Sequence, residues 1–211
     1  MLSPNIKEII NQCEKQVIVA ATKYVDATTL VDLYEVGIKN FGENRVDDFL
    51  NKYQMMKAYE DINWHFIGTL QTNKVKKMIN KVNYLHSLDS LNLAKYVDKY
   101  RFNKLPCFIQ VNLTDSPTKH GIKSSEIEAF LEALKAYPKV QVVGLMTMTE
   151  AYQNDEEKLI VFNKLKELRD ELIAKGNQDI QYLSMGMSDD YQLAIEAFAT
   201  HLRLGRVLFR K

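Results

Sequence analysis

Val17-Ile-Val-Ala-Ala-Thr-Lys23 is a run of small and β-branched apolar residues that ends on a lysine. Residues 17–21 do not alternate with polar ones, so the segment reads as a strand buried on both faces, as in a parallel sheet. Lys23 stands where that strand leaves the sheet. A lysine at the mouth of an apolar strand is incompletely hydrated, and its ammonium gives up a proton more easily. A neutral lysine amine is the group that forms Schiff bases with carbonyl compounds. Taken alone, a lysine here is more often a solvated strand end, and the rest of the chain has to decide between the two.

Outward from this stretch, helix-patterned and strand-patterned segments alternate along the chain. Strands are expected at 17–22, 38–41, 62–67, 82–85, 107–111, 140–146, 181–184 and 201–204. Helices are expected at about 5–15, 28–37, 45–59, 73–81, 90–100, 125–136, 156–175 and 189–199. Thr29 with Asp32, and Ser125 with Glu128, have the spacing of capping boxes. Gly37 and Gly176 stand where helices stop. Eight strands alternating with helices imply parallel pairing through right-handed crossovers. The count favours closure into a single-domain α/β fold, a (β/α)8 TIM barrel over residues 1–211; an open doubly wound sheet is the alternative.

Composition narrows the function classes. Lys+Arg 28 against Asp+Glu 27 gives net +1, so no global field points to nucleic acid or to a strongly charged partner. Cys13 and Cys107 are far apart and fit no zinc or CxxC spacing. The N-terminus lacks the apolar core of a signal peptide, and no apolar run has membrane-spanning length. A cytoplasmic protein without nucleic-acid or membrane partners is the expectation. His65, His86, His120 and His201 are dispersed, without metal-ligand spacing, and read as structural or surface histidines. G-x-G-x-x-G, P-loop and H-E-x-x-H motifs are absent.

In a barrel, chemistry collects at the C-terminal ends of the strands. Those exits carry Thr22-Lys23, Glu43-Asn44, Gly68-Thr69, Asn112, Met146-Thr147, Ser184-Met-Gly-Met-Ser188 and Arg203-Leu-Gly-Arg206. Ser184 to Asp190 passes from strand to helix through a glycine turn, and backbone N–H groups in such a turn suit an anion. Loops after the last two strands are the recurrent phosphate site of barrels. An ordinary helix cap by Ser188 explains the same residues equally well. Arg203 is expected to face the barrel centre, either in an ion pair with a carboxylate such as Glu43 or against a ligand ring.

Ala21-Thr-Lys23, Phe41-Gly-Glu-Asn44, Trp64-His-Phe-Ile-Gly68 with Leu70-Gln71 and Asn73-Lys74, Gly144-Leu-Met146, Leu183-Ser-Met-Gly-Met-Ser-Asp-Asp190 and Arg203-Leu-Gly205 occur together and in this order. In these motifs the chain resembles the pyridoxal phosphate homeostasis protein family, built like the N-terminal barrel of alanine racemase. The resemblance implies a binder of pyridoxal 5′-phosphate (PLP) that holds it as a Schiff base on Lys23 and acts in vitamin B6 and amino-acid homeostasis. It implies that Ser184, Gly186, Met187 and Ser188 hold the phosphate with Gly205 and the Arg206 backbone. Arg203 would face the pyridine nitrogen and Asn44 would lie near the ring. Apo PLP-dependent enzymes are candidate recipients.

An arginine does not readily release its proton, so the pyridine nitrogen would stay largely unprotonated and PLP a poor electron sink. Racemases of this fold add a tyrosine from a second domain, which this chain is not expected to supply, so a monomeric carrier without turnover is the leading expectation. An amino-acid racemase using the same lysine is the alternative, and a Schiff-base aldolase on sugar phosphates a third. The chain departs from the family pattern at several places. Arg206 replaces a small hydroxyl residue, Thr69 a common proline and Val25 a second lysine, and Arg210-Lys211 stand where a glycine and a longer tail are common.

Overall fold

The computed structural model describes residues 1–23, 25–113 and 120–209. The closing Arg210-Lys211 pair therefore lies outside the described residues. Among the described residues there are nine strands: β1 (Val17–Ala21), β2 (Asn40–Glu43), β3 (Asn63–Phe66), β4 (Tyr84–Leu88), β5 (Leu105–Asn112), β6 (Ile122–Lys123), β7 (Val140–Met146), β8 (Tyr182–Ser184) and β9 (His201–Leu204). Their order is β4-β3-β2-β1-β9-β8-β7-β5-β6, and β4 also pairs with β5. That last pairing closes the sheet. Eight strands form a parallel barrel, and the two-residue β6 lies outside it, bound only to β5. The alternative of an open sheet is excluded.

Helices follow the strands around the outside: α1 (Ile6–Gln12), α2 (Ala27–Glu35), α3 (Val46–Met55), α4 (Thr72–Met78), α5 (Leu91–Tyr100), α6 (Ile127–Leu134), α7 (Asp155–Ala174) and α8 (Tyr191–Glu196). The apolar layer between barrel and helices is continuous. Phe41, Phe49 and Trp64 meet edge to face in it, with ring centroids 5.5–5.6 Å apart. Val19, in the middle of the opening stretch, is wholly buried, as a strand covered on both faces requires.

Several boundaries differ from the sequence expectation, for local reasons. Strand β2 is shifted to 40–43, so Gly42 and Glu43 belong to the strand rather than to its exit. Helix α2 is capped by Asp26, whose Oδ1 accepts the Thr29 N–H at 2.8 Å; Thr29 is thus inside the helix. Ser125 and Glu128 form no capping box, because residues 124–126 make a 3-10 turn before α6. The box forms instead at α7, between Asn154 and Glu157. Helix α8 is shorter than expected, because Met187 to Asp190 are used in a turn. No described helix is long and apolar enough to cross a membrane.

Candidate functional site

The exits of β1, β8 and β9 converge. Gly205 directly follows β9, and a Cβ placed on it would lie 3.7 Å from both Cβ and O of Ala21 and 4.0 Å from Ser188 Oγ. The backbone N–H groups of Gly205 and Val207 both donate to Ser188 Oγ, at 3.1 and 3.3 Å. Two amide donors aimed at one hydroxyl oxygen make a small electropositive cradle of the kind that accepts an anion. Ser188 therefore ties the loop after β8 to the loop after β9 and does not cap α8, whose N-cap residue is Asp190.

The turn that brings Ser188 there depends on Gly186. Its φ is +88°, and a Cβ on it would fall 2.5 Å from Ala194 Cβ. No side chain larger than hydrogen fits both conditions. Asp190 completes the turn: its Oδ1 accepts the Met187 N–H at 2.6 Å and its Oδ2 accepts the Thr149 hydroxyl at 2.5 Å. The Met187 amide is thus engaged by Asp190, as the Gly205 and Val207 amides are by Ser188. Asp189 points outward to an ion pair with the Arg206 guanidinium, both side chains largely exposed. The side chain of Arg206 is directed at a carboxylate rather than at the cradle.

Arg203 lies inside the barrel. Its Nη1 donates to Ser184 Oγ at 2.6 Å and its Nη2 to the Thr147 carbonyl at 2.9 Å. Burial pushes its guanidinium down to about 10, with the Asp190 carboxylate acting in the opposite sense. Its ion pair with Glu43, one of the two sequence expectations, is not formed. Glu43 faces Lys52 instead, at 2.6 Å. Ser184 belongs to the surroundings of Arg203, since its hydroxyl serves Arg203 and His86.

Behind Ser184 a chain of polar side chains crosses the barrel interior. His86 Nδ1 lies 2.8 Å from Ser184 Oγ, His86 Nε2 lies 2.8 Å from His65 Nδ1, and His65 Nε2 lies 3.2 Å from Asn40 Oδ1. With Asn40 Oδ1 accepting, one direction satisfies every member: Arg203 donates to Ser184, Ser184 to His86, His86 to His65, and His65 to Asn40. His201 packs beside them, its ring 6.0 Å from that of His86. Burial holds His65 and His86 well below the ordinary imidazole range, with neighbouring imidazoles adding to it. Burial and then the Arg203 charge push His201 down to about 4. The three histidines sit on β3, β4 and β9, and sequence spacing did not reveal that they meet. His120 is exposed and apart from them.

Lys23 is one residue beyond the end of the opening strand's backbone ladder and is exposed. The partial burial expected at the strand mouth does not occur. Asn44, also exposed, follows β2 and lines a cleft with Phe66, Thr69 and Gln71. Gly68 packs against it so closely that a Cβ would fall 2.3 Å from the Asn44 carbonyl oxygen. On α4, Lys76 and Lys77 are exposed and Lys74 pairs with Asp47 at 2.8 Å. Among the described residues no cluster of His, Cys, Asp and Glu could hold a metal ion.

The model for the alanine racemase N-terminal domain matches residues 1–210. The pyridoxal phosphate homeostasis protein of Aquifex aeolicus is 42% identical over 195 residues, which cover 91% of this chain and 85% of that one. The protein of the same name from Synechocystis is 36% identical over 214 residues, covering 99% and 98%. This chain belongs to the pyridoxal phosphate homeostasis protein family. A solved structure, that of PipY of Synechococcus elongatus without PLP, superposes with a TM-score of 0.91 at 30% identity, over 98% of each chain. PipY with PLP bound gives 0.89 at 29% identity, over 97% of this chain and all of the other. Alanine racemase from Corynebacterium glutamicum, 13% identical with a TM-score of 0.74, shares the fold, and this chain spans 58% of it.

Proposed function

We propose that this family member binds PLP at the C-terminal end of its barrel, with Lys23 as the covalent tether through a Schiff base, and serves intracellular PLP homeostasis. One observation carries the placement: Gly205 N–H and Val207 N–H converge on Ser188 Oγ at the exit next to Ala21, two residues before Lys23. A phosphate fits the chemistry of that cradle, because it is built from backbone donors and a hydroxyl and needs no rearranged charge. The buried Arg203, met by a hydroxyl and a carbonyl, fits a neutral aromatic nitrogen as its further neighbour.

PLP supplies an aldehyde that a primary amine captures reversibly. Lys23 offers that amine from an exposed position, where it can both take up and release the ligand. Ser188, Gly205 and the backbone of residues 206 and 207 hold the phosphate, with Gly186 shaping the turn and Met187 covering it. Asn44 borders the ring. Arg203 keeps its proton at neutral pH, because even about 10 is well above 7. It therefore donates to the ring nitrogen without transferring a proton to it, which supports a holding role rather than turnover. We read residues 1–211 as one barrel domain acting as a cytoplasmic monomer, with apo PLP-dependent enzymes as recipients.

The test is direct. Protein incubated with PLP and reduced with borohydride is digested and the phosphopyridoxyl peptide sequenced. A label on Lys23, lost in Lys23→Ala, supports the proposal; a label on another lysine of the wild type overturns it. Hydrogen–deuterium exchange at Cα of free amino acids separates the carrier from a racemase, since sustained exchange by the loaded protein would establish turnover.

A further inference from the structure

Lys52 is a charged residue on α3 that is 9% exposed. Its Nζ donates to the Thr22 carbonyl at 2.5 Å and to Glu43 Oε1 at 2.6 Å. The Thr22 hydroxyl donates to the same Glu43 oxygen. Glu43 is wholly buried, and its Oε2 has no hydrogen-bond partner among the described residues. A buried ion pair with one carboxylate oxygen unsatisfied is a poor source of stability, because desolvation offsets most of the attraction. Its value has to be sought in geometry.

The three residues occupy telling positions. Thr22 immediately precedes Lys23, and Glu43 immediately precedes Asn44. Thr22 N–H donates to the Gly42 carbonyl at 3.0 Å, so the β1–β2 ladder runs on through Thr22. One ammonium on a helix therefore grips the last ladder residues of two neighbouring strands. It does so from the helix side, opposite the barrel interior that holds Arg203. The β3 exit is held against the same point, through the backbone contact of Gly68 with Asn44.

We propose that Lys52 is a positioning residue for ligand capture: it fixes the exits of β1 and β2 to α3, so that Lys23 and Asn44 are presented together to PLP. The inference rests on the PLP reading given above. Lys52 touches no ligand; it acts through Thr22 and Glu43. The phosphate cradle at 188, 205 and 207 is built from the exits of β8 and β9 and makes no hydrogen bond to Lys52, Thr22 or Glu43 among the described residues.

That separation defines the experiment. The double variant Lys52→Met/Glu43→Met removes both charges at once, which leaves no buried ion uncompensated. Melting temperature, affinity for PLP, affinity for pyridoxine 5′-phosphate and the fraction of Lys23 labelled after borohydride are measured in parallel. Pyridoxine 5′-phosphate carries the phosphate and ring but no aldehyde. The expected result is pyridoxine 5′-phosphate binding within about threefold of wild type and Lys23 labelling reduced tenfold or more at matched PLP. Thr22→Val, which keeps the ion pair and removes only the hydroxyl tie, is expected to lower labelling in the same direction by a smaller factor. Wild-type labelling of Lys23 in both variants, or an equal loss for both ligands, overturns the positioning role. Failure of wild type itself to label at Lys23 would instead overturn the PLP reading.

Discussion

Arg203 and Ser184 are 2.6 Å apart, guanidinium to hydroxyl, and that contact is the first link of a chain that runs through His86 and His65 to Asn40 on β2. Among the described residues no carboxylate is in hydrogen-bond contact with the buried charge of Arg203. It is met by oriented dipoles, each of which presents its negative end toward Arg203.

Ser184→Ala should therefore cost more than the loss of one hydroxyl. It leaves a buried guanidinium N–H and a buried imidazole nitrogen without partners, at about 1–3 kcal/mol. For a chain of 211 residues that corresponds to a melting temperature lower by roughly 2–12 °C. Calorimetry checks the stability, and the absorbance of bound PLP checks whether Arg203 has moved. An unchanged melt and spectrum would mean that Ser184 does not hold the guanidinium.

The same interior sets a pH dependence. His201 is held at about 4 when folded, against 6.5 for a free imidazole, with His65 and His86 depressed in the same sense. Between these values the unfolded chain binds more protons than the folded one, so stability is full above pH 6.5 and falls as pH drops toward 4. His201 alone contributes on the order of 3 kcal/mol to that fall. Asp89, raised by burial, acts in the opposite sense at the acid end. Urea unfolding at pH 7.5, 6.5, 5.5 and 4.5 should show a steep loss, shallower in His201→Gln. A flat profile in wild type would be incompatible with neutral buried imidazoles.

Gly186 and Gly37 offer a matched comparison. Both have positive φ, at +88° and +94°, but a Cβ on Gly37 meets nothing within 4 Å, whereas on Gly186 it strikes Ala194. Gly37→Ala should cost only the backbone conformation, about 1–2 kcal/mol. Gly186→Ala adds an overpacking cost of about 1–3 kcal/mol and displaces the turn that carries Ser188. Its melting temperature should fall further and its affinity for PLP should drop, while Gly37→Ala binds PLP as wild type. Equal effects of the two substitutions on PLP affinity would remove Gly186 from the site.

What could be read from the sequence follows a physical division. An unbroken apolar run such as Val17–Ala21 marks a strand because burial on both faces leaves no polar period to confuse it. Lys23, Arg203 and the Ser-Met-Gly-Met-Ser loop were visible because strand exits are legible once the strands are. Lys52 was not, since a lysine in an amphipathic helix looks solvated until the fold places a buried glutamate beside it. The histidine relay was hidden for the same reason: His65 and His86 are 21 residues apart and meet only because β3 and β4 are neighbours. The capping spacings at Thr29 and Ser125 both failed, the first because Asp26 caps α2 and the second because a 3-10 turn takes up residues 124–126; the box forms at Asn154, whose backbone is extended.

Arg206 provides the last discrimination. Its guanidinium is paired with Asp189 at an exposed position, while the donors that converge on Ser188 are the amides of Gly205 and Val207. A substitution that keeps the backbone keeps those donors. Arg206→Ala should therefore bind PLP and pyridoxine 5′-phosphate within about twofold of wild type, with little change in melting, as exposed ion pairs contribute about 0–1 kcal/mol. Arg206→Ser should gain affinity only if a hydroxyl at this position reaches the phosphate. The competing expectation, that the guanidinium substitutes for a hydroxyl contact, requires Arg206→Ala to lose roughly tenfold or more, the scale of a charge-assisted bond of about 1.5–3 kcal/mol. Raising salt separates the two further, since an exposed guanidinium contact would weaken with ionic strength and amide donors in a narrow cradle would change little.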